Sequence, residues 1–366
     1  MCLYKRYAKG YLNFVYDVDY NVTVKPEYCF GFSGIEVLDN FVAYRKVIIS
    51  IFQDMANSDS DFHIAICETD RDTVLLPIKS IFAILFTIGS KGDLLNNNIF
   101  INSTIFKDSL KKVKRKYINT AISILEDYGF IFEGNVWGKC GFYFYYPDNE
   151  KVILGLYSFT HTINSEINSS VSFNNRFTAM DSRLYSFSHD EEKQIDVLQE
   201  LFRFIKGEKE KEAISIFHNQ MVDRGYNYAL SIDIFDSDHY NSGISIRYDF
   251  SQYEPRAVVR ANITNKSSRI GIWLKNLAKQ SEYIQNLSYS FKENCALLFD
   301  DCKENSCRNN MNAEKCKGRL VFKLGKVEYE KCTYNTAWGY IGNKAVFKAE
   351  KDEIGIYVYL IDNNNM

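Results

Sequence analysis

The stretch 102–129, NSTIFKDSLKKVKRKYINTAISILEDYG, decides how this chain is read. Tyr117, Ala121, Leu125 and Tyr128 follow one another at helical spacing, and Ile118 and Ile122 widen the same apolar stripe, so a helix from about Tyr117 is predicted. Gly129 supplies the left-handed turn that ends it without strain. Before it, Phe106, Leu110 and Val113 form the inward face of a shorter helix, whose first N–H groups the side chain of Asn102 or Ser103 can satisfy.

Working outward, Ile78, Ile81, Phe82 and Leu85 after Pro77 predict a further helix upstream, with Gly89 and Gly92 as its end. Downstream, Phe130 and Phe132 alternate with Ile131, and Gly134, Gly138 and Gly141 supply turns. Phe142 to Tyr146 then form an aromatic strand closed by Pro147. Three helices and a two-stranded hairpin make a winged-helix-like unit.

Within that unit, Lys107, Lys111, Lys112, Lys114, Arg115 and Lys116 face a single acid, Asp108, just where the third helix begins. Lys111, Lys114, Arg115 and Lys116 are expected to neutralise phosphates. Asn119, Thr120 and Ser123, on the face that the apolar stripe leaves open, can reach base edges, and Lys139 is the base of the wing. The competing view is a solvated helix face, or a winged unit that serves protein partners as a scaffold.

The rest of the chain bounds this reading. A chain of 366 residues suggests two or three domains, and 46% hydrophobic content says globular. Net charge is −2, so nucleic-acid binding has to rest on a local patch. Lys5, Arg6 and Lys9 precede only a short aromatic run broken by Asp17 and Asp19, which does not read as a signal peptide. The longest apolar run, Ile81 to Ile88, is too short to span a bilayer, so no membrane association and a cytoplasmic location are expected.

The first 70 residues read as strand-like aromatic segments from Tyr11 to Val24, then a helix from about Ile35 to Met55. Asp148 to Gly155 leads out of the winged unit, and Ser165 to Ser188 reads as a long loop or linker. Two helices broken near Gly207 follow. Next come antiparallel strands at Ala229 to Phe235, Ser242 to Phe250 and Ala257 to Ile263, and a long helix from about Ile272 to Leu298.

Five cysteines crowd the end of the chain. Cys295 shares the stripe Tyr283, Leu287, Phe291 and Leu298, so it reads as a core residue. Cys302, Cys307, Cys316 and Cys332 remain. A hairpin folded about Leu324 and Gly325 would bring Cys316 nearly opposite Cys332, with Cys302 and Cys307 in the loop before it. The four thiolates are expected to form a closed, structural zinc site, zinc-ribbon-like in outline, although neither pair has the usual two-residue separation. Reduced thiols without metal are the alternative.

For an enzyme there is little. Asp233, Asp236, Asp238 and His239 could hold a divalent cation for a hydrolase, but Asp and Ser are also ordinary turn residues between strands. No Gly-x-Ser-x-Gly, phosphate-binding Gly-rich loop or His-Glu-x-x-His occurs in the sequence.

Tyr128-Gly-Phe-Ile-Phe-Glu-Gly134, Tyr146-Pro-Asp-Asn149 with Val152 to Leu156, Cys316-Lys-Gly-Arg319 and Tyr329-Glu-Lys-Cys332 resemble a group of uncharacterised Firmicutes proteins. That resemblance implies a winged-helix-like N-terminal half and a C-terminal cysteine cluster, and it carries no active residue. The expectation is therefore an α+β protein in four parts: an N-terminal α+β segment (1–70), a winged-helix-like domain (71–150), helices with a small antiparallel sheet (151–265) and a helix with a cysteine hairpin (266–366). Its leading function is binding of double-stranded DNA in a transcription-regulatory role, with zinc as a structural part.

Overall fold

The computed structural model describes residues 3–57, 71–163, 177–187, 196–233, 243–250, 255–262, 268–273, 277–302, 319–332 and 344–363. The chain is a mixed α+β protein that forms two compact units, Met1–Gln194 with Ile232–Ser242, and Ile195–Ser231 with Gly243–Met366.

The first unit opens with helix α1 (Leu3–Phe14), whose last turn, from Tyr11 to Phe14, takes up the start of the segments expected to be strand-like between Tyr11 and Val24. Tyr4, Tyr7, Ala8, Tyr11 and Phe14 are all buried, and their spacing is helical. Burying that stripe outweighs the weak preference of aromatic residues for strands. Residues 16–19 and 22–25 are irregular, so no strand forms there either.

Helix α2 (Gly34–Asn57) follows the expected stripe, with Val37, Phe41, Tyr44, Ile48 and Ile51 buried. Its start is locked by reciprocal bonds: Ser33 Oγ accepts from the Glu36 N–H at 3.3 Å, and the Glu36 carboxylate accepts from the Ser33 N–H at 2.7 Å.

Helix α3 (Arg71–Lys91) begins before Pro77 and runs through Gly89, which the sequence reading placed at its end. Gly89 is there because a β-carbon would come within 2.5 Å of Thr160 Oγ1; the glycine permits close approach and does not stop the helix.

Strands β1 (Asp93–Leu95) and β2 (Asn98–Ile101) then form a hairpin that the sequence reading did not contain. Its two turn residues, Asn96 and Asn97, have φ of 49° and 64°, the primed turn that asparagine tolerates. Helix α4 (Ser103–Ser109) is capped by Asn102, whose side chain accepts from Thr104 N–H at 2.8 Å. Helix α5 (Arg115–Asp127) starts two residues earlier than the apolar stripe suggested, and Gly129 closes it at φ 90°.

Strands β3 (Ile131–Gly134) and β4 (Phe142–Tyr145) complete a sheet of order β1-β2-β4-β3. Ile99 lies opposite Phe144 and Ile101 opposite Phe142, and all four are buried. Stacked Phe130 and Phe144 rings, 5.2 Å apart, extend the same core.

Helix α6 (Lys151–His161), read as a lead-out segment, is an apolar helix along α2. Of the stretch expected to be a loop or linker, residues 177–187 bring Phe177, Met180, Leu184 and Tyr185 into the core; the remainder lies outside the described residues.

The second unit contains the two expected helices, α7 (Val197–Phe202) and α8 (Glu208–Asp223), the latter capped at Gly207. Its five-stranded sheet uses β5 (Tyr228–Asp233), β6 (Gly243–Phe250), β7 (Pro255–Asn262), β8 (Ser268–Trp273) and, from the C-terminal part, Lys344–Phe347. Ile246 faces Val259 and Val259 faces Ile270 across the ladders, so a single apolar face forms.

The long helix expected from Ile272 is instead the end of β8 and then two helices, α9 (Ser281–Gln285) and α10 (Tyr289–Leu298). Ser288 causes the break, since its Oγ caps α10 by accepting from Phe291 N–H at 3.2 Å. Cys295 is in the core, as its stripe predicted. Strands β9 (Asp300–Asp301), β10 (Arg319–Leu324) and β11 (Val327–Cys332) form a second sheet, β12 (Lys344–Phe347) is the fifth strand of the larger one, and α11 (Ile354–Asn363) ends the unit.

Candidate nucleic-acid interface

The exposed side of α5 is set by what its other side buries. Tyr117, Ile118, Ala121, Ile122, Ile124 and Leu125 are committed to the core, which leaves Arg115, Lys116, Asn119 and Ser123 exposed and Thr120 half-buried. Thr120 Oγ1 donates to the Lys116 carbonyl at 3.1 Å. Lys111 and Lys114 are exposed just before the helix, and Lys139 is exposed in the β3–β4 turn. The Lys116 ammonium sits 4.7 Å from the Tyr117 ring centroid.

That turn is fastened to the helices. Ser103 Oγ donates to the Asn135 carbonyl at 2.8 Å, Lys107 Nζ to the Gly138 carbonyl at 2.8 Å, and Asn102 Nδ2 to the Cys140 carbonyl at 3.3 Å. Lys107 is thus a clamp on the turn. Its ammonium satisfies a loop carbonyl.

The residue that sequence reasoning missed is Trp137. Its indole Nε1–H donates to Asn119 Oδ1 at 3.0 Å, and the Arg115 guanidinium carbon lies 4.4 Å from the indole centroid. The ring also meets Phe106 edge-on at 6.4 Å. One residue of the β3–β4 turn therefore orients two of the expected site residues, Arg115 and Asn119, which lie one helical turn apart. The available signal was a tryptophan in the glycine-flanked turn Asn135-Val-Trp-Gly138.

The cysteine end is described in part. The hairpin turns at Gly325, φ 63°, as expected, but the register sets Arg319, and not Cys316, opposite Cys332. Cys302 N–H donates to the Glu330 carbonyl at 2.9 Å, one pair beyond Asp301 and Lys331. Cys302 and Cys332 therefore share a sheet face as diagonal neighbours.

On that face Arg319 and Glu330, also diagonal, join at 2.7 Å. Cys307 and Cys316 lie outside the described residues, as do Asp236, Asp238, His239 and the side chain of Asp233. Among the described residues no group of His, Cys, Asp and Glu is placed to hold a metal, and no helix is long and apolar enough to cross a membrane. No protein-family model, curated protein or solved structure matches the chain.

Proposed function

We propose that residues 71–145 act as a winged-helix-like unit that binds duplex DNA, with α5 as the groove-facing helix and the turn 135–141 as the wing. The observation that carries this reading is the pairing of an exposed basic helix start with a wing fastened beside it through Trp137. The order helix, hairpin, helix, helix, two strands supports it, as does a sheet in which β4 lies between β2 and β3.

Lys111, Lys114, Arg115, Lys116 and Lys139 supply five cations on one chain segment, against a net charge of −2 for the whole chain. Binding would be local and strongly dependent on salt. The test is affinity for random-sequence duplex at several salt concentrations. Four or five phosphate contacts give a log–log slope of about −4. No binding at low salt would refute the reading.

We also propose that Cys302 and Cys332 belong to a structural zinc set that Cys307 and Cys316 complete. Diagonal neighbours on antiparallel strands are roughly 7–8 Å apart at Cα, which is long for a disulfide. Two Zn–S bonds of about 2.3 Å can bridge such a pair. A four-thiolate set has no open position, so its part would be to hold the second unit's cysteine end together.

A further inference from the structure

The Trp137–Asn119 bond fixes more than the position of the wing. An indole N–H only donates, so the amide atom that faces it at 3.0 Å is the oxygen. The usual ambiguity between the two ends of an asparagine amide does not arise here. With Oδ1 turned to the wing, Nδ2 is the end left to meet a ligand, and it has two donors and no acceptor.

Arg115 is held against the same indole, and a guanidinium also only donates. Arg115 and Asn119 are both exposed and one helical turn apart, so their polar edges make a row of donors. In the major groove of B-DNA only guanine presents two adjacent acceptors, N7 and O6. Adenine sets an amino donor beside its N7, cytosine offers a donor, and thymine pairs one acceptor with a methyl group. The corresponding groove of an RNA duplex is too narrow for a helix.

Resting on the DNA-binding reading above, we propose that Trp137 sets the base preference of α5. By turning the Asn119 oxygen inward and stacking on Arg115, it presents donors alone and selects a guanine edge in the major groove over adenine. Trp137 is in this sense a positioning residue: it acts through Asn119 and Arg115 and need not touch the base.

The experiment selects bound duplexes from a random DNA library with the full chain and with Trp137→Phe, and measures each protein's affinity for unselected random duplex alongside. Phenylalanine keeps an aromatic face for Arg115 and an edge for Phe106 but has no N–H. The wild-type chain should enrich guanine at one or two adjacent positions, and replacing that guanine with adenine should cost roughly five- to a hundredfold in affinity. Trp137→Phe should still bind random duplex, because Lys111, Lys114 and Lys116 are untouched and Ser103, Lys107 and Asn102 still hold the turn. It should admit adenine where guanine was required, because the released amide can offer Oδ1 and Nδ2 together.

Enrichment of adenine by the wild type, no base preference, or an unchanged guanine preference in Trp137→Phe would overturn the proposal while leaving DNA binding intact. No wild-type binding to random duplex would remove the DNA-binding reading and this proposal together. Asn119→Asp gives an independent check. It keeps an oxygen for the indole but replaces the outward donor with an acceptor, so preference should move from guanine toward cytosine, whose N4 donates. Retained guanine preference in Asn119→Asp would also overturn the proposal.

Discussion

Gly155 of α6 lies directly against the backbone of Asn40 in α2: a β-carbon at Gly155 would sit 2.1 Å from the Asn40 carbonyl oxygen. No rotamer relieves a clash with main chain, so the two helices could accept it only by separating. Gly155→Ala should therefore destabilise the first unit by at least about 3 kcal/mol, at the upper end of overpacking costs. Gly355, in α11 with nothing within 4 Å of the same added atom, makes the contrast. Gly355→Ala should be neutral or stabilising by up to about 1 kcal/mol. Chemical denaturation of both variants, followed by circular dichroism, checks the pair; equal effects would refute the packing argument.

The same glycine shows what was legible before the structure. Elements that bury one stripe of their own side chains were readable, as with α2, α4 and α5, because the period of such a stripe lies within a single segment. Gly155 and Gly89 read as ends because their function is to fit a neighbour, and the neighbour is remote in sequence.

Helix α1 was obscured for another reason: tyrosine and phenylalanine suit strands, and only their spacing at 4, 7, 8, 11 and 14 betrays the helix. The cationic half of the candidate site was legible as a local run. The grip of the β3–β4 turn on it was not, since the Trp137–Asn119 bond joins residues from different elements and leaves no periodic trace.

Neutralising the lysines at the helix start tests the proposed phosphate contacts separately from base preference. Lys111 and Lys114 precede α5 and Lys116 opens it; all three are exposed, none contributes a hydrophobic side chain to the core, and none belongs to the donor row of Arg115 and Asn119. Replacing the three with glutamine should leave the melting temperature nearly unchanged and reduce the magnitude of the salt slope by about 3, one unit per lost phosphate. Fluorescence anisotropy with labelled duplex over a salt series measures it. A slope equal to that of the wild type would show that these cations face solvent alone.

The cysteines divide into two chemical kinds that one experiment separates. Burial pushes the Cys295 thiol up to about 12, with the nearby Glu353 charge acting in the same direction, so it stays protonated and inert at neutral pH. Cys295→Ser should leave bound zinc unchanged in elemental analysis of the purified protein. Cys302→Ser, at a half-buried position on the β9–β11 face, should lower it and lower the melting temperature as well. Wild-type protein free of zinc after purification without chelator would refute the metal site.

A last prediction concerns pH and follows from the core of the second unit. His218 of α8 is 8% exposed, its Nδ1 lies 2.9 Å from Tyr248 Oη, and the Tyr228 ring meets it edge-on at 4.8 Å. Desolvation holds its pKa below the usual histidine value, against a smaller opposing pull from the Asp196 carboxylate.

In the unfolded chain the same imidazole takes a proton near pH 6.5, so below that pH the unfolded state binds more protons than the folded one. The stability contributed by neutral His218 is thus complete above about pH 6.5 and is lost as pH falls through the lower, folded value. Thermal unfolding of the wild type should weaken between pH 7 and 5 more steeply than that of His218→Gln, which cannot charge but can keep a polar contact with Tyr248. Parallel pH profiles for the two proteins would show that the imidazole is hydrated well enough in the fold to ionise there freely.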